Sequence, residues 1–159
     1  MVHHESCTRL APTFRQRHRS PAARESRRLD VIYLDSGVLI YSTELDGDVG
    51  NAVRQRLAES SDQQFCISPL VVMECLVKPM RDHDYRLQDH YHRLFGQLER
   101  LPLEQDVFVR AAQLRADSGV GMQDAIHVAA AQRHDCGGLW TTDARLAKQY
   151  PGFAHNVLV

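Results

Sequence analysis

No apolar run in the 159 residues approaches the ~18–20 positions that a bilayer-spanning helix needs, so no membrane span is expected. The first residues are polar and Arg-rich with no apolar stretch behind them, so a secretory signal is not expected either. The four cysteines, Cys7, Cys66, Cys75 and Cys136, have no paired spacing. Neither a disulfide framework nor a cysteine–histidine zinc site fits that pattern. Cys66 and Cys75 lie among apolar neighbours and read as reduced, buried thiols of a cytoplasmic protein. A glycine-rich loop that could cradle a phosphate is missing, as are internal repeats and internal linkers. Excess charge is missing too: the formal net charge is −1.

That balance hides an asymmetry. Residues 1–30 hold seven Arg against three acids, while the rest holds twelve basic and seventeen acidic residues. An acidic body is not a general nucleic-acid binder by bulk charge. Residues 1–30 show little apolar periodicity and cannot bury enough surface to offset their ordering entropy. A disordered basic arm is expected there. Three readings stand for it: an arm that touches RNA, a targeting sequence, or a mis-assigned start with translation beginning at Val31. The remaining chain is long enough for one domain with a sizeable core. Its 43% hydrophobic and 25% charged content are ordinary for a globular protein.

Val31-Ile-Tyr-Leu-Asp35 is a short apolar run that stops on a carboxylate, and reads as a buried strand feeding a turn. A short helix is expected over 38–43. Val49, Val53 and Leu57 repeat at i, i+4, i+8, the stripe of a surface helix ending near Ser60. Phe65-Cys-Ile67 reads as a second strand. Ser68-Pro69 then starts a helix that is apolar almost all round, so it should be buried, with Pro79 marking its end. Leu87, Tyr91, Leu94, Phe95 and Leu98 mark an amphipathic helix. Leu101-Pro-Leu103 reads as an edge strand. A helix through Val107, Phe108, Ala111 and Leu114 should stop at Gly119. A close-packed, Ala-rich helix follows over 122–134. A strand over 139–142 ends on Asp143, and a short helix over 144–150 and an edge strand over 156–159 complete the chain. Strands alternating with helices predict a mainly parallel sheet in a three-layer α/β/α sandwich.

In open α/β sheets, ligands collect outside the carboxyl ends of the strands. Two strands end on aspartate, at Asp35 and Asp143, and two apolar helices carry a lone carboxylate, Glu74 and Asp124. Each has an ordinary reading. Asp35 could form a turn, Asp143 could cap the next helix, Asp124 could be a first-turn acid, and Glu74 could have a basic partner. Together they point elsewhere. Four carboxylates at one sheet edge repel, and a divalent cation would relieve them. Hard oxygen donors select Mg²⁺ or Mn²⁺, the arrangement for metal-assisted phosphodiester cleavage.

At this point the chain, from Val31 to Val159, resembles PIN-domain ribonucleases, and among them the VapC-type toxins of bacterial toxin–antitoxin pairs. The motifs are Tyr-Leu-Asp35-Ser-Gly-Val-Leu-Ile-Tyr, Ser68-Pro-Leu-Val-Val-Met-Glu74-Cys-Leu-Val-Lys-Pro, Gln123-Asp124-Ala-Ile-His-Val-Ala and Thr141-Thr-Asp143. The resemblance implies an endoribonuclease whose catalytic acids are Asp35, Glu74, Asp124 and Asp143. Asp35, Asp124 and Asp143 would ligate Mg²⁺ or Mn²⁺, and Glu74 would ligate the metal or position the attacking water. Ser36 and Thr141 would orient these groups. It further implies a homodimer, a cognate antitoxin, and a structured RNA substrate such as a tRNA or ribosomal loop. Lys78, Arg81 and His127 are the candidate RNA contacts. A packed core histidine is the competing reading for His127, and solvated surface charge for Lys78 and Arg81. There is one departure. Many members carry Asn two residues after the first Asp, and this chain has Gly37. The same glycine argues against a haloacid-dehalogenase-like phosphatase, which needs a second Asp there. A non-catalytic PIN-like binding module is the alternative function. A structure-specific DNA nuclease ranks behind it, because the short chain lacks room for extra DNA-binding elements.

Overall fold

Val31–Leu34 forms β1, the middle strand of the sheet. The structure is a computed structural model that describes residues 31–159; the expected arm over 1–30 lies outside the described residues. Parallel strands pair with β1 along both its edges, and helices cover both its faces. That is why the run reads as continuously apolar rather than alternating.

The remaining elements, in order, are α1 (Ser36–Glu44), α2 (Asp48–Glu59), β2 (Gln64–Ile67), α3 (Pro69–Arg81), α4 (Tyr85–Phe95), β3 (Glu99–Arg100), α5 (Gln105–Ser118), α6 (Met122–Arg133), β4 (Gly138–Thr141), α7 (Ala144–Gln149) and β5 (Ala154–Asn156). The five strands are all parallel and lie in the order β3-β2-β1-β4-β5. Helices on both faces make this the three-layer α/β/α sandwich. Tyr33, opposite Cys66 and Leu139 in the register, meets the His127 ring of α6 with centroids 5.7 Å apart. On the other face Phe65 packs on Trp140 at 5.3 Å, and the Arg56 guanidinium of α2 lies 5.2 Å from the Trp140 ring centroid. Leu34, Val38, Leu39, Ile67, Val71, Leu139 and Leu146 are buried in the core.

Several boundaries differ from the sequence expectations. Pro79 does not end its helix; α3 continues to Arg81. Proline forfeits one helical hydrogen bond, but Pro79 is buried, and its carbonyl accepts from Asp84 N at 2.9 Å and Gln88 Nε2 at 3.1 Å. Those bonds tie the end of α3 to α4. The edge strand is Glu99–Arg100, just before Leu101-Pro-Leu103, because β2 is met there by Cys66↔Glu99 and Ile67↔Arg100. The last strand is Ala154–Asn156, set by Leu139↔Ala154. Gly119 does stop α5, in the left-handed region at φ 68°, where a side chain would be strained.

The apolar helix α3 is not buried all round. Met73, Val77 and Met80 are 51%, 54% and 51% exposed. They follow the i, i+4, i+7 spacing of one helix face, which no other element among the described residues covers.

Candidate active site

The chain leaves β1 toward β2 and β3 and later returns to β1's other side as β4. The crevice beyond the carboxyl ends of β1 and β4 is therefore a topological switch point, the place where open α/β sheets collect their ligands. Asp35 follows β1 and Asp143 stands two residues past β4.

Asp35 is 8% exposed. Its backbone N–H donates to the Trp140 carbonyl at 3.1 Å. Its extended backbone places Oδ1 to accept Val38 N–H at 3.1 Å, which caps α1. Thus Asp35 is the turn former its position suggested, and the same cap fixes its carboxylate at the crevice. Burial pushes its carboxyl above the usual range. The Thr141 hydroxyl bond, the His127 ring and the Val38 amide oppose that shift, and Glu74 adds to it.

Glu74 lies mid-way along α3. Its Oε2 is 2.9 Å from His127 Nε2, and the other ring nitrogen, Nδ1, is 2.9 Å from the Tyr33 hydroxyl. The Tyr33 oxygen is in turn 2.7 Å from Ser68 Oγ. Burial pushes the Glu74 carboxyl up, but the His127 bond, the His127 charge and the Ser36 hydroxyl outweigh it and hold the group below its ordinary value. The basic partner that could have made Glu74 purely structural is a histidine from α6, not a surface Lys or Arg.

Asp124 stands in the first turn of α6. Burial raises its carboxyl; Asp143 and Glu74 raise it further, against His127 and Arg145. Asp143 is held low, first by the Arg145 side chain. Its Oδ1 caps α7 through Arg145 N–H at 2.7 Å, and Arg145 Nη2 lies 3.1 Å from its Oδ2. Thr141, fully buried, accepts Asp143 N–H at 2.9 Å while also bonding Asp35. One hydroxyl thus links the two strand-end aspartates. Asp35, Glu74, Asp124 and Asp143 act on one another through space as one connected set, with Ser36 and Thr141 as their hydroxyl partners.

The proposed RNA contacts fare differently. His127 is 3% exposed with both ring nitrogens engaged. It is packed as the competing reading describes, with its ring engaged inside the chain. Lys78 is exposed and pairs with Glu44 at 2.9 Å, and Arg81 pairs with Asp82 at 3.0 Å. Each cation is partly neutralised by its neighbour.

Sequence reading missed Tyr33, Ser68 as its partner, Arg145 and Thr142. Tyr33 carried one usable signal, a phenol in the middle of a buried strand, which needs a hydrogen-bond partner. The other three carried none.

As the side chains stand, no group of three or more His, Cys, Asp or Glu among the described residues closes into a metal-holding cluster. The donor set nonetheless suits a hard divalent cation. All four acids are oxygen donors, and two of them are pushed up by burial and by neighbouring carboxylates, a load that bound positive charge relieves.

Residues 32–150 match the PIN domain family. The chain belongs to that family. Solved structures agree in fold. A chain of a toxin–antitoxin complex from Klebsiella pneumoniae superposes with a TM-score of 0.66 at 23% identity, covering 79% of this chain and 97% of that one. A chain of VapBC2 from Rickettsia felis, bound to a DNA fragment from its promoter, gives 0.64 at 16% identity over 79% and 98%. DNA-bound VapBC from Salmonella typhimurium gives 0.61 at 19% identity over 79% and 97%. No curated protein matches the chain in sequence. The PIN chain described here has no helix among its described residues long and apolar enough to cross a membrane.

Proposed function

We propose that this PIN-domain protein is a divalent-metal-dependent endoribonuclease that acts as the toxin of a toxin–antitoxin pair. What supports the reading is that Asp35 and Asp143 follow the neighbouring strands β1 and β4 at the switch point, that Glu74 and Asp124 act electrostatically on them, and that Asp35 and Glu74 are held by α1 and by α6. Asp35, Asp124 and Asp143 would hold Mg²⁺ or Mn²⁺. Such a cation, when bound, supplies a lowered pKa for an attacking water and charge relief for the leaving oxygen.

The chain's own groups divide the remaining work. Glu74, kept ionised by His127 and Ser36, orients the attacking water and accepts its proton. Asp35 is restrained by its cap on α1, and Thr141 keeps Asp35 and Asp143 in register. Arg145 occupies Asp143 in the chain by itself, and is placed to turn to an incoming phosphate once that aspartate is engaged elsewhere.

A structured RNA of the tRNA or rRNA class is the proposed substrate, and a cognate antitoxin the proposed partner. The exposed Met73, Val77 and Met80 stripe beside Glu74 on α3 fits a homodimer, since it offers an apolar face that a second copy could cover.

The test is cleavage of total RNA with Mn²⁺, with the Asp124→Asn protein and excess EDTA as controls. Cleavage by the wild type alone, lost in both controls, is the expected result. Full activity in EDTA or in Asp124→Asn overturns the metal-site assignment. RNA binding without cleavage favours the binding-module alternative.

A further inference from the structure

Gly37 is the second residue of α1, directly after the residue that follows Asp35. Its φ is not positive, so backbone conformation does not call for glycine there. In a helix, glycine costs up to about 1 kcal/mol relative to alanine. Space is the reason it stands. A Cβ at position 37 would overlap the Thr142 hydroxyl, with Thr142 Cβ 3.6 Å away and Asp35 Oδ1 3.3 Å away. The Thr142 side chain, reaching over from the end of β4, fills the place beside the Asp35 carboxylate that a residue-37 side chain would take. Its hydroxyl makes no hydrogen bond to another described residue, although Thr142 sits between buried Thr141 and the capping Asp143.

We propose that Thr142 is a positioning residue of the acidic site, supplying from the turn after β4 the polar group that α1 lacks at position 37. The inference rests on the nuclease reading above. Gly37 and Thr142 act as one unit: the glycine opens a notch, and the threonine places a neutral hydrogen-bond donor in it. Among four carboxylates a neutral donor is useful, because it can hold Asp35 or a water against it without competing for the cation.

The test is a double-mutant cycle on the full chain, read by single-turnover RNA cleavage with Mn²⁺ and by thermal melting in EDTA. Thr142→Val keeps the shape and removes the hydroxyl; its kcat should fall about tenfold with KM unchanged, as for removal of a group that supports a ligating residue. Thr142→Ser should retain activity. Gly37→Asn should lower both Tm and cleavage, the latter about a hundredfold, because its side chain meets Thr142. Adding Thr142→Ala to Gly37→Asn should recover most of both losses. Wild-type activity in Thr142→Val overturns the proposal, and so does a double variant whose losses simply add. If the wild type cleaves no RNA, the nuclease reading falls. The melting cycle then still decides whether the two positions share one space, and additive Tm changes overturn that as well.

Discussion

His127 Nε2 lies 2.9 Å from Glu74 Oε2, joining two helices through a histidine that solvent barely reaches. Glu74 is held below its ordinary pKa and is an acceptor only, which places a proton on Nε2. The other ring nitrogen, Nδ1, lies 2.9 Å from the Tyr33 hydroxyl, whose oxygen is 2.7 Å from Ser68 Oγ. Burial keeps the Tyr33 phenol protonated by pushing it well up. The chain Ser68–Tyr33–His127–Glu74 runs from the buried core to the crevice with every member satisfied.

Removing the inner link should cost stability and rate together. Tyr33→Phe keeps the ring but leaves His127 Nδ1 and Ser68 Oγ without their buried partner, which should destabilise the protein by about 1–3 kcal/mol. With the His127 ring no longer fixed, RNA cleavage should fall about tenfold. Urea unfolding and a cleavage time course check this. A Tyr33→Phe protein as stable and as active as the wild type would leave the chain without a role.

The charges of Asp35 and Asp124 should oppose folding in the absence of metal. Both carboxyls are raised in the fold, first by burial. A carboxyl raised above its unfolded value binds its proton more tightly when folded. It therefore favours the fold at low pH and loses that contribution as pH rises through the folded pKa. Glu74 and Asp143 have the opposite sign; their contribution is present above the unfolded pKa and is lost as pH falls through the folded one. Asp124→Asn should therefore melt higher than the wild type at pH 7 in EDTA while being inactive. A lower Tm for Asp124→Asn would sink the assignment of burial and like-charge strain at that position.

Metal should reverse that order. Mn²⁺ at about 100 times its Kd would stabilise the wild type by about 2.7 kcal/mol, and should leave Asp124→Asn unmoved. Melting scans with and without Mn²⁺ read this directly, and an equal shift in both proteins counts against Asp124 as a ligand.

The α3 stripe predicts self-association. Val77→Glu places a charge in the middle of an exposed apolar face, so it should convert a dimer to a monomer at micromolar concentration with little change in Tm. Sedimentation velocity distinguishes the forms. A wild type that is already monomeric would assign the stripe to another partner.

Much of this fold was legible because its signals are local. A run such as Val31–Leu34 closing on Asp35, proline opening α3, and glycine ending α5 each act through neighbouring backbone groups, whereas the Ser68 hydroxyl expected to cap α3 makes no cap bond and meets Tyr33 instead. The four acids stand out in the sequence for a related reason: each ends a strand or interrupts an apolar helix, where an unpaired carboxylate is costly. Pro79 misled because its local penalty is offset by contacts with α4 that sequence spacing does not encode.

By itself, then, the sequence determined the elements, their alternation and the carboxylates that close them, since propensity, capping and periodicity act within a few residues. Tertiary structure alone decided the strand order β3-β2-β1-β4-β5. It also paired His127 with Glu74 across 53 positions, seated Thr142 in the notch over Gly37, and left one face of an apolar helix uncovered by the other described residues. Each of these depends on which surfaces meet when the chain closes its long loops, and nothing in a short stretch of sequence specifies that.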